Sequence, residues 1–346
     1  MKLYNTIRFK GGAISYLVHK KSLRIMLILL FACLAVAIIS TGLGEMVISP
    51  LDVLRSIFGM GAEDHAMVIQ KIRLPRIIIA LLVGASLAAA GAILQGIIRN
   101  PLASPDIMGV TGGASVGAVT FLTYFIGVFS IRWLPVAAML GAAIVSIILY
   151  TLSWKKGITP VRLVLVGVGM AALMSAATTM MLVFSPTNDP AQVYLWLTGS
   201  VYASNWENVL TVLPWTVLLL PLSFIMARHI NIGQLGDDLA ASAGSAVERN
   251  RLILLLISVA LAGSAVSVAG GVGFVGLIAP HMARKLVGSS FENVLPVAAL
   301  LGGTVVMLAD LVGRTLFLPL DVPVGVFTSA IGAPFFIYLL YTKRNA

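Results

Sequence analysis

What this chain of 346 residues lacks narrows its nature quickly. It has one cysteine, Cys33, which leaves no disulfide framework and no cysteine-built metal site. Its four histidines, His19, His65, His229 and His281, are scattered and none has a metal-ligand partner at i+4, so the chain is expected to hold no metal. Nowhere does a G-x-x-x-x-G-K-[ST] loop occur, so ATP hydrolysis by the usual phosphate-cradling loop is excluded and ATP-driven work must come from a partner. Charge is scarce as well: 10% of residues are charged against 59% that are hydrophobic. No soluble core conceals that much apolar surface.

What is present is a succession of long apolar runs, with a mean hydropathy of +1.02. Helical runs of about 18 residues or more cross a hydrocarbon layer of roughly 30 Å, and nothing alternates as barrel strands do. The fold class is therefore all-α, a polytopic membrane protein. Spans are expected at 25–43, 74–98, 107–128, 134–154, 163–184, 209–227, 252–271, 274–287, 294–312 and 325–341. Residues 1–24 form a basic N-terminal tail, and 25–346 a single transmembrane domain. The stretch from Leu252 to Ala283 is too long for one crossing, about 48 Å as a helix. Gly270, Gly271 and Gly273 supply the break within it.

Ten spans place both termini on one side, and both termini are basic. Counting loops on that side as cytoplasmic gathers there every lysine and arginine except Arg55, Lys71, Arg73, Arg76, Arg132 and Arg314. That asymmetry fits the positive-inside rule and accounts for the formal charge of +10 without nucleic acid. Ten spans divide into two fives, and an odd number per half enters the membrane inverted. That is a recurrent plan for transport proteins.

Several small motifs carry less than they suggest. Gly167-Val168-Gly169 lies inside a span and follows no strand, so small-residue helix packing is the better account than a dinucleotide loop. Gly113 to Gly117 matches G-x-S-x-G around Ser115, but a hydrolase elbow needs a strand-turn-helix context, and an intramembrane hydrolase using His281 is disfavoured. Asp310 is the one carboxylate deep in a span and stands four residues before Arg314, where a helical pair forms. An ion-coupled carrier usually shows more buried ionisable groups.

Two regions stand out. Arg73, Arg76 and Arg314 face outward at span ends, where a guanidinium pairs bidentately with a carboxylate; headgroup anchoring is the plainer alternative. On the inner side, about 228–250 is the longest connection. Asp237 and Asp238 follow Gly236, a favourable helix start, and Gly244 is a plausible stop.

In order along the chain stand "RLPR" (73–76), "GASLAAAGAILQGIIRNPLASPDIMGV" (84–110), "LGDDLAASAG" (235–244), "GGVGFVGLIAPHMAR" (270–284), "LADLVGR" (308–314) and "LPLDVPVGVFTSAIGAPFFIYLL" (318–340). Together they resemble the FecCD-type permeases of binding-protein-dependent ABC importers for iron-siderophore complexes, cobalamin and haem. The resemblance covers residue 25 to the C-terminus. It implies a multi-pass protein of the bacterial cytoplasmic membrane that pairs with a second permease subunit, two ATPases carrying the ATP and Mg, and an extracytoplasmic binding protein. The substrate it implies is a ferric siderophore, hydroxamate-type first, with cobalamin or haem as alternatives. By position, Arg73, Arg76 and Arg314 look like docking residues for the binding protein. Gly236, Asp237, Asp238, Ala240 and Gly244 look like the ATPase-coupling segment, and Asn100 and Leu102 like the inner gate. Gly167, Gly169, Met170 and Trp196 are expected to line the pathway. The chain departs from the pattern at Pro160, Val161 and Ala241, which bears on gate detail and on one ATPase contact. No task follows for 45–70.

Overall fold

The computed structural model describes residues 4–9, 14–44, 46–125, 128–154, 159–184 and 190–343. A helix stands at each of the ten positions read from the apolar runs. They are α1 (Lys20–Gly42), α4 (Leu74–Ile98), α5 (Val110–Thr120), α6 (Leu134–Ser153), α7 (Pro160–Val183), α9 (Trp206–Ile225), α12 (Val247–Ala269), α13 (Val275–Val287), α14 (Phe291–Thr315) and α15 (Val324–Lys343). Between them lie the shorter α2 (Pro50–Ile57), α3 (Glu63–Met67), α8 (Pro190–Thr198), α10 (Ala227–Gly233) and α11 (Asp237–Ser242). Among the described residues, seven helical stretches are long and apolar enough to cross a membrane, while Val110–Phe125 and Val324–Leu339 are apolar but shorter. The chain is thus a multi-pass membrane protein.

Two expectations change. The first helix begins at Lys20, ahead of the expected 25, so the helix takes in the last basic residues of the tail. The chain is also not wholly α-helical: Tyr4–Phe9 (β1) and Ile14–His19 (β2) pair antiparallel in the register Tyr4↔His19 to Phe9↔Ile14. Both stretches are rich in β-branched and aromatic residues, which favour a pleated pair. The segment 46–73 holds α2, capped by Ser49, whose hydroxyl accepts from the Asp52 N–H at 3.2 Å. It then passes through α3 and a π-helical turn, Val68–Arg73, into α4.

α4 lies at the centre. It packs on α14, α12, α13 and α9 and is buried over most of its length. Between helices in lipid, backbone proximity and hydroxyl bonds do the holding, because the tails are as apolar as leucine. A Cβ added to Gly84 would run into the Gly302 carbonyl of α14, and one added to Gly91 into the Gly276 carbonyl of α13. Ser86 Oγ lies 2.8 Å from Thr216 Oγ1 on α9, and Ser258 Oγ on α12 donates to the Ala90 carbonyl at 3.0 Å.

Helices in equivalent places of the two expected halves make matching contacts. α5 meets α6 as α13 meets α14, α6 meets α7 as α14 meets α15, and α4 meets α13 and α14 as α12 meets α5 and α6. Each half is interrupted once. In the first, Arg99 (φ 56°) and Gly109 (φ 78°) bracket a non-helical connection between α4 and α5. In the second, Gly270 (φ 67°) ends α12 and Phe274 (φ 66°) opens α13, which places the break where the glycines predict it.

The α4 contacts generate a test. Gly91→Val drives a branched side chain into the Gly276 backbone and should destabilise the chain by about 1–3 kcal/mol, the usual range for overpacking. Thermal unfolding in detergent, followed by size exclusion, reads this as a lowered midpoint. Gly169→Ala, with no atom within 4 Å of the added methyl, should leave the midpoint unchanged or slightly raised.

Candidate functional site

At the N-terminal end of α4 the three expected arginines converge. Arg73 closes the π-helical turn and donates from Nη1 to the carbonyls of Thr41 (2.9 Å) and Gly42 (3.1 Å), and from Nη2 to that of Met46 (2.6 Å). Thr41 and Gly42 end α1, where carbonyls have no intrahelical partner and a cation meets the negative end of the dipole. Arg314 donates from Nη1 to the Leu43 carbonyl at 2.7 Å and from Nη2 to that of Ser40. Its Nε lies 3.3 Å from Asp310 Oδ2, the i, i+4 pair read from sequence. These two arginines therefore collar the C-terminus of α1.

Arg76 is used differently. Its Nε donates to Asp310 Oδ1 at 2.8 Å, with Nη2 2.7 Å from the same oxygen, while Nη1 and Nη2 grip Asp321 Oδ2 and Oδ1 at 2.6 and 2.8 Å, a bidentate fork. The guanidinium carbon also sits 5.7 Å from the Tyr202 ring centroid. Arg73 is 8% exposed, and the side chains of Arg314 and Arg76 are 9% and 14% exposed. A cleft of about 670 Å³ opens beside them, lined by Gly44, Tyr202, Asp321 and the arginines. Sequence reading missed Asp321, because a pair spanning 245 positions leaves no spacing signature.

At the opposite end of α4, Gly236 (φ 111°) precedes α11 and Gly244 (φ 79°) follows it, the short helix and stop that sequence reading expected. Asp237 accepts from Arg251 Nη2 through both oxygens at 2.9 Å and lies 3.2 Å from Arg99 Nη2. One carboxylate on α11 thus joins the end of α4 to the start of α12. Ala240 is the buried residue of α11, whereas Asp238, Leu235 and Leu239 are exposed. Close by, Asn100 Oδ1 accepts from the Leu102 N–H at 2.9 Å, turning the chain just after α4. Arg284 Nη2 donates to Gln95 Oε1, tying α13 to α4 above that turn.

Between the two ends lies a cleft of about 690 Å³ formed by α5, α7, α8 and the break before α13. Its polar wall is mostly hydroxyl, and four of these already bond a carbonyl of their own helix: Ser115 to Thr111, Thr178 to Met174, Thr179 to Ser175 and Thr198 to Tyr194, at 2.7 to 3.1 Å. The Ser115 hydroxyl is thereby committed to its helix, and the His281 ring meets Phe335 edge-on at 5.6 Å. Of the four expected lining residues, Gly169 is exposed with open space beside it. Gly167 and Met170 are buried instead, where α7 backs onto Met108 and Gly109, because the non-helical connection fills the space against that face. Trp196 is half-buried and its carbonyl sits against Gly270 at the break. Among the described residues no cluster of three metal-ligating side chains occurs.

Asp106 links the two interruptions. Its Oδ2 accepts from the Phe274 N–H at 3.2 Å, placing a carboxylate at the N-terminus of α13, where orphan donors and the positive dipole end favour it. It lies within the 84–110 motif, but no local spacing marked its role, since its partner lies 168 positions away.

The model of the FecCD transport family matches residues 29–342. The chain is 51% identical over 333 residues to the probable siderophore transport system permease protein YfhA of Bacillus subtilis, covering 95% of this chain and 97% of that one. It is 49% identical to the achromobactin transport system permease protein CbrC of Dickeya dadantii, covering 93% and 92% of the two chains. It is 43% identical to the iron(3+)-hydroxamate import system permease protein FhuG of Bacillus subtilis, covering 92% and 97%. A solved structure of a metal-chelate type ABC transporter in an inward-facing conformation superposes with a TM-score of 0.81 at 32% identity, over 92% of this chain and 99% of that one.

The Asp106 bond yields an expected outcome. Asp106→Ala should cost about 1 kcal/mol, the usual value of a lost helix N-cap, and speed amide exchange at residues 274–278 by about fivefold. Hydrogen exchange read by mass spectrometry in detergent checks this, and Asp106→Asn, which keeps an acceptor, should retain most of the protection.

Proposed function

Since the chain belongs to the FecCD transport family, we propose that it is the permease subunit of an ATP-driven ABC importer that carries a ferric siderophore, hydroxamate-type first, into the cytoplasm. The observation that carries this reading is the family match over residues 29–342, together with relatives named for siderophore and iron(3+)-hydroxamate transport. In this reading ten helices span the membrane as two inverted halves, with both termini on the cytoplasmic side. Two such subunits, identical or different, enclose the pathway. Two ATPases with their ATP and Mg sit below, and an extracytoplasmic binding protein delivers the chelate above.

The geometry supports a route for the work. ATPase closure presses on α11, where exposed Leu239 and, just before the helix, Leu235 offer an apolar contact and Gly236 and Gly244 bound it. Asp237 hands that push to Arg99 and Arg251, hence to α4 and α12 together. At its far end α4 carries Arg76 into the arginine cluster, where the binding protein docks through acidic residues. Asn100 and Leu102 turn the chain at the inner mouth and serve as the gate. The 690 Å³ cleft, with Gly169 and Trp196 near it, is this subunit's share of the pathway. Its single carboxylate and many hydroxyls suit a bulky chelate that passes without tight pairing.

Uptake of radioactive iron by cells relying on this chain is the test. Iron supplied as a trihydroxamate chelate should enter and cease to enter on deletion; entry of cobalamin or haem alone would transfer the assignment to those substrates. Asp237→Ala should leave the chain in the membrane, since a half-exposed pair contributes only about 1 kcal/mol, yet lower uptake by about tenfold by loosening the link between α11 and two core helices. Unchanged uptake would remove Asp237 from the coupling path.

A further inference from the structure

Of the three arginines expected to meet an acidic partner, Arg76 holds a partly exposed carboxylate that a partner can replace. Arg73 donates to main-chain carbonyls at the end of α1, and Arg314 donates to carbonyls of the same region and pairs with Asp310. Displacing those bonds would uncap a helix. Arg76 holds Asp310, whose side chain is 1% exposed, through Nε and Nη2, and holds Asp321, which is 23% exposed, through Nη1 and the shared Nη2. Asp321 stands on the non-helical connection 316–323, between α14 and α15. That connection is tied back by backbone bonds from Val322 to Gly313 and from Leu320 to Phe317. It exposes Leu316, Leu318 and Leu320 beside the 670 Å³ cleft. A bidentate carboxylate, an irregular carrier segment and an apolar rim share one patch.

We infer that Asp321 is a built-in stand-in for the carboxylate of the docking partner, and that an incoming acidic side chain displaces it from Arg76, releasing the 316–323 connection as it docks. This rests on the docking reading given above and adds to it a competitor and a consequence. The exchange replaces one bidentate carboxylate by another on the same guanidinium, so little electrostatic energy changes hands. What changes is the restraint on the segment that joins α14 to α15. The apolar rim then meets the partner's surface around the new ion pair, the arrangement in which a charged contact fixes register and the apolar contact supplies affinity. While Asp321 holds the fork, the binding-competent fraction is small and the apparent affinity falls by that fraction.

The test uses the full chain in neutral-lipid nanodiscs and the peptide tetraglutamate, with tetraglutamine as control. Asp321→Asn removes the competitor's charge and should tighten tetraglutamate binding by about tenfold if the fork is free about one tenth of the time. The gain should vanish in Arg76→Gln/Asp321→Asn and be absent for tetraglutamine. In the unmutated chain, saturating tetraglutamate should speed amide exchange in 316–323. Equal binding by Asp321→Asn and the unmutated chain, with Arg76→Gln weaker than both, overturns the exchange but leaves acidic docking at Arg76 standing. Binding that no variant alters overturns both. Weaker binding by Asp321→Asn, or unchanged exchange in 316–323, shows that Asp321 builds the site instead of competing for it and also overturns the proposal.

Discussion

A guanidinium inside a helix bundle has no water to turn to, so each one must be answered by the chain itself. That constraint organises both ends of this molecule. At one end Asp310, almost without exposure, stands between Arg76 and Arg314, and the two cations stay together because that carboxylate separates them. Remove its charge and the arginines become uncompensated neighbours, the costly way to break a buried pair. At the other end Asp237 does the same for Arg99 and Arg251, in a wetter setting where the pairing is weaker and movement easier.

The two ends are joined by one element. α4 has 25 residues, about 37 Å at 1.5 Å per residue, and its flanks carry Arg73 before it and Arg99 after it. Its neighbours touch it through glycine and serine, so contacts are made by backbone, which has no rotamers to absorb a shift. A displacement at one end therefore reaches the other as motion of a body.

Much of this was legible in the sequence because it is periodic or local. Apolar runs fixed where helices stand, the glycines at 270–273 marked the break, and Gly236 and Gly244 bounded the short helix α11. Asp310 and Arg314 paired at their helical spacing. The family motifs brought forward the arginines at 73, 76 and 314, yet no local pattern told that Arg73 and Arg314 bond carbonyls, since those acceptors belong to a helix some 30 or 270 positions away. Asp321 and Asp106 escaped for the same reason. The buried placement of Gly167 and Met170 was illegible for another: α7 is apolar all round, and which side meets Met108 is decided by the path of the preceding connection, not by the residues of α7. The N-terminal strands went unread because their basic residues suggested a tail.

The hydroxyls of the central cleft carry one last consequence. Ser115, Thr178, Thr179 and Thr198 each keep a bond to a carbonyl four residues back in their own helix. Such a hydroxyl donates to another group only by surrendering a bond it already has, so that exchange is nearly even in energy. A wall of this kind is wettable without being sticky. Such a surface presents neither the repulsion of a bare apolar wall nor the trap of unpaired donors.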